Sequence, residues 1–181
     1  GVSKTEIAKN KDTLRIAAML HDVGKVAISD LILKKPARLD AAEYEIMKSH
    51  TYLGARLFAV SHSDFDQASA QVALSHHERW DGNGYPGYIN VMTGQCLPGY
   101  ETGEGKAAGR KGEEIPPFGR LVAIADVYDA LSSQRVYKEA WNQEQVLDEL
   151  RKERGKHFDP EMIDAFFIAL DSINAVGKRY V

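Results

Sequence analysis

A single cysteine, Cys96, among 181 residues excludes an internal disulfide, and with it the small secreted folds that depend on such staples. No apolar stretch reaches the ~18–20 residues of a membrane-spanning helix, and the start carries no signal-peptide pattern. The chain therefore reads as cytoplasmic, with no membrane segment in this piece. Nor is one sign of charge in excess. With 23 Lys+Arg against 26 Asp+Glu the net charge is -3 and the isoelectric point about 6.1, so there is no broad basic field for a DNA or RNA polymer or an anionic membrane. Period-two alternation is nowhere sustained, which argues against a sheet. Internal repeats and low-complexity tracts are absent. What is present is ordinary in bulk: 44% hydrophobic and 27% charged residues, in a length that folds as one domain without a staple.

Helical periodicity fills most of the remainder. One helix is predicted over residues 7–20, running into His21 and Asp22 and stopped at Val23-Gly24. A second begins after Asp40, whose side chain and Glu43 three residues on form a capping box. It is predicted to run through 58, with Ile46, Leu53 and Leu57 on its apolar face. A third covers 63–80 with Ala70, Ala73 and Leu74 inward. A fourth, over 117–133, is apolar nearly all round and so buried. Two more follow at 142–154 and 160–176, the latter opened by Pro160 after Asp159. The fold class is all-α, a helical bundle. Residues 81–119 hold most of the fifteen glycines and no helical period, and a loop of that length inside a compact domain is functional or disordered.

The chemistry lies in the histidines. His21 is followed by Asp22, His76 by His77 and Glu78, and His50 closes MKSH. Side chains of adjacent helical residues point about 100° apart, so such a pair can grip one ion from two sides or hold two neighbouring ions. A carboxylate such as Asp22 offers two oxygens, an imidazole one nitrogen. Asp126 sits inside the apolar run LVAIADVYDAL, where an ionised carboxylate requires a cation or hydrogen bonds. Taken singly, each of these residues has a bland explanation as a hydrogen-bonded core or surface group. His62 and His157 stand alone and are read that way. The joint pattern points to a nitrogen- and oxygen-ligated site for at least two metals. Lys25, four residues after His21, falls on the same side of that site and suits a phosphate. Arg135 and Lys138, nine and twelve residues after Asp126, suit the same role, although a basic residue past a helix end can also serve the helix dipole.

These residues fall in segments that closely resemble the HD-GYP family of bacterial cyclic dinucleotide phosphodiesterases, a branch of the HD metal-dependent phosphohydrolases. The resemblance rests on LHDVGK (20–25), MKSH (47–50), HHERWDGNGYPG (76–87), GEEIP (112–116), IADVYDALSSQRVYK (124–138) and GKHFDP (155–160). It implies an HD-domain helical bundle over residues 1–181. It also implies hydrolysis of cyclic di-GMP to linear pGpG, to GMP, or to both. By the same resemblance His21, Asp22, His50, His76, His77 and Asp126 are metal ligands for two or three ions, iron or manganese. Asp22 and Lys25 then take the catalytic roles, Lys25, Arg135 and Lys138 contact phosphate, and Tyr85 of the GYP turn meets the substrate. The alternatives are another cyclic dinucleotide as substrate, or a non-catalytic module that binds a cyclic dinucleotide or docks a GGDEF-type partner.

Two departures from the family pattern stand out. The superfamily draws a further His from an earlier helix, expected here before Gly1, where a regulatory domain is also expected. Between GYP and GEEIP the family has only a few residues, whereas here a Gly-rich insertion of about residues 88–111 intervenes. That insertion is either a disordered surface excursion, the blander reading, or a lid over the substrate pocket carrying Tyr88, Tyr100, Lys106, Arg110 and Lys111.

Overall fold

The computed structural model describes residues 3–60, 63–103, 105–133 and 141–177. The helices among them are α1 (Lys4–Met19), α2 (Asp30–Leu33), α3 (Ala41–Lys48), α4 (His50–Leu57), α5 (Asp64–Ser75), α6 (Pro117–Ser132), α7 (Gln143–Lys152), α8 (Pro160–Ile168) and α9 (Leu170–Gly177). Short 3-10 turns occupy Val23–Ala27 and Gly112–Glu114. The described residues contain no strand, only isolated bridges. None of these helices is long and apolar enough to cross a membrane. The architecture is all-α, as the periodicity predicts.

Local chemistry sets the helix starts. Ser3, Ser63 and Asn142 cap α1, α5 and α7 through side-chain oxygens. The Asp40–Glu43 capping box forms as read, with Glu43 N–H donating to Asp40 and Asp40 N–H donating to Glu43, both at 2.9 Å. Such caps satisfy amides that have no partner inside the helix, each worth about 1 kcal/mol. At α8, Asp159 accepts from the Glu161 and Met162 amides and also pairs with Arg120 of α6 at 2.5 Å.

Two apolar clusters meet on α6, which is why its sequence is apolar nearly all round. On one side Val122 joins Ala17 of α1 with Ala68 and Val72 of α5. On the other, Ile124 packs with Val146 and Leu150 of α7, Phe158, and Ile163 of α8. The first cluster holds together α1 and α5, whose ends carry His21 and His76, and the second braces α6 from behind.

Two predicted helices are each broken in two. The one starting after Asp40 ends at Lys48, turns at Ser49, and restarts as α4 at His50. Its predicted apolar face is not the buried one, since Ile46 and Leu57 are 48% and 60% exposed. His50, Thr51, Gly54 and Ala55 are buried instead. The reason is closeness: a Cβ on Gly24 would lie 1.9 Å from the His50 carbonyl oxygen and 2.4 Å from the Gly54 nitrogen. Only small residues on both sides let the 3-10 turn meet the α4 backbone. The predicted 160–176 helix likewise turns at Ala169 between α8 and α9.

The insertion is not the disordered excursion that its composition suggests. Tyr88 N–H donates to Ala108 O, Leu97 N–H to Tyr88 O and Ala108 N–H to Tyr100 O, at 3.0, 2.8 and 2.8 Å. Ile89 bridges Cys96 and Glu101 bridges Ala107, both antiparallel. The described part of the loop is thus a small folded meander whose two ends lie side by side.

Candidate metal centre

The ends of three helices deliver the histidines, and the same device orients each ring. His21 follows the end of α1 and its Nδ1 lies 2.6 Å from Ala18 O. At the start of α4, His50 Nδ1 lies 2.6 Å from Met47 O. His76, at the end of α5, has Nδ1 3.0 Å from both Val72 O and Ala73 O. A carbonyl can only accept, so each Nδ1 carries the proton and donates it. In its neutral form each ring is therefore left with a lone pair on Nε2, which is how protein imidazoles are prepared for a metal, and His21 donates to Asp22 from Nε2 only when protonated.

Those lone pairs converge on Asp22. Its Oδ1 lies 3.3 Å from His50 Nε2 and 3.8 Å from His76 Nε2. Its Oδ2 lies 3.3 Å from His21 Nε2 and 2.5 Å from Lys25 Nζ. One donor atom each from Asp22, His50, His76 and His77 falls within 4.8 Å of the others. On the His21 side, Asp126 Oδ1 of α6 stands 3.8 Å from His21 Nε2. The two oxygens of one carboxylate thus face two donor sets.

Electrostatics test whether these residues fit cations. Asp22 Oδ1 is buried and has no hydrogen-bond partner among the described residues, and His50 Nε2 lies 3.4 Å from His76 Nε2. Two lone pairs at that distance, beside an orphaned carboxylate oxygen, are costly unless a positive ion sits among them. Donor atoms spaced this way match ligands that share an ion, and the absence of thiolate favours metals suited to nitrogen and oxygen. The group fits. Burial, helped by the neighbouring His21 and His50, depresses His76 to about 3. Burial and the adjacent His76 and His50 likewise depress His77. Both rings are therefore neutral, as ligands must be. Burial pushes the Asp22 carboxyl up, but hydrogen bonds from His21 and Lys25 outweigh it and hold the group far below the usual carboxylate range. The hydrogen bond to Asp22 raises His21 in turn.

Six of the residues singled out in sequence, His21, Asp22, Lys25, His50, His76 and His77, share this site, with Asp126 at its edge. Tyr85 stacks on the His77 ring, with centroids 4.8 Å apart and planes at 25°. Arg135, Lys138 and His62 lie outside the described residues. His157 is apart from the centre, stacked on Phe158, and burial lowers it to about 4.

Sequence reasoning assigned no role to three further residues. Glu78 is 2% exposed, and its carboxylate accepts the Gly87 amide at 2.6 Å and the Arg110 amide at 3.1 Å. It grips both ends of the insertion directly behind the His76–His77 pair, and burial raises it to about 7 in spite of those bonds. Its one signal in sequence is a charged residue that continues a buried helix end. Lys48 lies 5.4 Å from the centroid of the Tyr85 ring and 4.9 Å from that of Tyr44, which meets Tyr85 edge-on. Nothing in the sequence spacing marks Tyr44 or Lys48 for that contact.

Comparison with known proteins finds relatives along most of the chain. The chain is 41% identical over 165 residues to a cyclic di-GMP phosphodiesterase response regulator, RpfG, of Xanthomonas campestris, covering 91% of the chain and 37% of that protein. It is 40% identical to a cyclic di-GMP phosphodiesterase of Thermotoga maritima, over 92% of the chain and 39% of the relative. To a 3'3'-cGAMP-specific phosphodiesterase 2 of Vibrio cholerae it is 38% identical, over 91% of the chain and 28% of the relative. The chain thus spans between about a quarter and two fifths of the length of these relatives. The family described as HD domain matches residues 4–131, the stretch that holds every donor just described. With that match over most of its length, this chain belongs to the HD domain family.

Proposed function

We propose that this chain is a metal-dependent phosphodiesterase domain acting on a cyclic dinucleotide, with cyclic di-GMP as substrate. The observation that carries the reading is Asp22, whose two oxygens are divided between two donor sets while Oδ1 has no hydrogen-bond partner among the described residues. His50, His76, His77 and Asp22 would hold one ion, and His21, Asp126 and Asp22 a second, with room in the family pattern for a third. Iron or manganese suits such donors. When bound, the ions supply Lewis acidity and lower the pKa of water.

The chain's own residues do the rest. The carbonyl-locked rings keep their lone pairs aimed inward without reorganisation. Lys25 brings a positive charge to the edge of the site, where it offsets charge on the phosphoryl oxygens, and Arg135 and Lys138 add phosphate contacts. Water adds to phosphorus, the bond to the 3′-oxygen breaks, and that oxygen takes up a proton, giving linear pGpG. A second such cleavage gives GMP. Chromatography of products from cyclic di-GMP and 3′3′-cGAMP, together with elemental analysis of the full-length protein, tests the reading. Hydrolysis of cyclic di-GMP by protein carrying at least two ions supports it, and bound metal without turnover of either compound refutes it. The name of the Vibrio relative favours 3′3′-cGAMP as the second substrate reading. A cytoplasmic location, an N-terminal regulatory domain and a GGDEF-type partner complete the proposal. The short share of each relative that the chain covers leaves ample length for such a domain.

A further inference from the structure

Beside the metal centre lies a cavity of about 530 Å³, between α3–α4 and the insertion. That volume is within the ~300–1,000 Å³ of pockets that take small organic ligands. Glu45, Lys48 and Tyr52 line one wall, Gln95 and Lys106 of the insertion line the other, and Tyr85 lies among them. Tyr85 also stacks on the His77 ring, so one aromatic ring separates the cavity from the histidine cluster.

The insertion wall is fixed to α4 at two points. Arg56 Nε–H donates to Val91 O at 3.2 Å. Gly94 lies so close against Tyr52 that a Cβ there would be 2.7 Å from Tyr52 Cζ. Arg56 also lies 5.4 Å from the centroid of the Tyr52 ring. A wall docked in this way can present side chains at set positions, which a loose lid cannot.

We propose that this cavity holds one guanine-nucleotide arm of the cyclic dinucleotide, making the insertion a specificity determinant; the assignment rests on the phosphodiesterase reading above. Flat aromatic walls at Tyr52 and Tyr85 suit a purine ring. Lys48 donates to Glu45 at 2.8 Å, so an ammonium and a carboxylate stand side by side on this wall. Guanine's adjacent donors N1–H and N2–H match that carboxylate, and its acceptors O6 and N7 match ammonium groups such as Lys48 and Lys106. Adenine in the same position turns an acceptor toward the carboxylate and a donor toward the ammonium. The lining therefore selects guanine.

The test uses full-length, metal-loaded protein for kinetics and chelator-stripped protein for binding of cyclic di-GMP and cyclic di-AMP by titration calorimetry. Glu45→Gln and Lys106→Ala raise the Michaelis constant for cyclic di-GMP about tenfold, leave kcat within about twofold, and weaken calorimetric binding by the same factor. Glu45→Gln also narrows the preference for cyclic di-GMP over cyclic di-AMP about tenfold, because an amide can donate as well as accept. Both positions are on the surface, and metal content measured beside the kinetics reports an intact centre. Wild-type hydrolysis of cyclic di-GMP with unaltered constants in both variants overturns the cavity assignment alone. Wild-type protein that neither binds nor hydrolyses cyclic di-GMP overturns the phosphodiesterase reading, and the assignment with it.

Discussion

Replacing Glu78 with alanine is expected to loosen both the insertion and the His76–His77 pair. Its carboxylate is the acceptor for two amides, Gly87 N–H at 2.6 Å and Arg110 N–H at 3.1 Å. Truncation leaves both donors without that partner, in a place where Gly87 is buried. A buried donor left unpaired costs about 1–3 kcal/mol, so the pair amounts to about 2–6 kcal/mol, with the emptied space adding to it. Glu78→Gln keeps one acceptor oxygen but turns an NH2 group toward the other amide, so about half of that loss is expected. Urea unfolding of the 181-residue chain gives the global figure. Hydrogen exchange at the Gly87 and Arg110 amides reports the local one. If the alanine variant stays within about 0.5 kcal/mol of wild type and Gly87 keeps its protection, the carboxylate is not what ties these ends.

Asp22→Ala should abolish hydrolysis and lower metal content, because both donor sets lose a shared oxygen; a full metal complement in that variant would remove its bridging role. Gly24→Ala has no room for its Cβ, 1.9 Å from the His50 carbonyl oxygen. The 3-10 turn must then part from α4, with a stability loss of about 3 kcal/mol or more and weaker metal retention, and a fully loaded variant of unchanged stability would contradict this. Acid should destabilise the chelator-stripped chain. Burial holds His76 near 3 and His157 near 4, and lowers His50 and His77 as well. Below the unfolded value of about 6.5 the unfolded chain takes up protons that these folded rings refuse. Stability therefore falls as pH drops, by about 1.4 kcal/mol per unit for each ring. His21, raised by Asp22, and Glu78, raised by burial to about 7, work in the opposite direction but are outnumbered. Urea midpoints at pH 7 and pH 5 decide it, and equal midpoints would refute the argument.

The histidines and Asp22 were legible in sequence because metal chemistry needs particular side chains, and those residue types stand out from a helical background. Caps were legible for the same reason, as at Asp40 and Glu43. The break at Ser49 was not. Ser49 keeps helical angles, with φ -63° and ψ -17°, so no local signal marks it, and the exposure of Ile46 and Leu57 follows from a long-range fit to Gly24. The order of the insertion was hidden too. The bonds that join its two arms run between backbone amides and carbonyls, which composition does not reveal, while Asn90, Thr93 and Glu101 side chains serve only its local turns. Glu78 escaped notice because its partners are amides nine and thirty-two residues away.

The paired ends of the insertion make the segment between them a unit that leaves and returns at one place, with Tyr52 and Arg56 of α4 as its outer support. Tyr88 and Ala108 are joined backbone to backbone, and Glu78 holds the residues just outside them. A segment that leaves and returns at one point can be lengthened, shortened or exchanged at little cost in closure entropy, without shifting the histidines beneath it. It behaves as a replaceable cassette. A loop from another domain of this family, grafted between Tyr88 and Ala108, should therefore carry its ligand preference onto an unaltered metal centre.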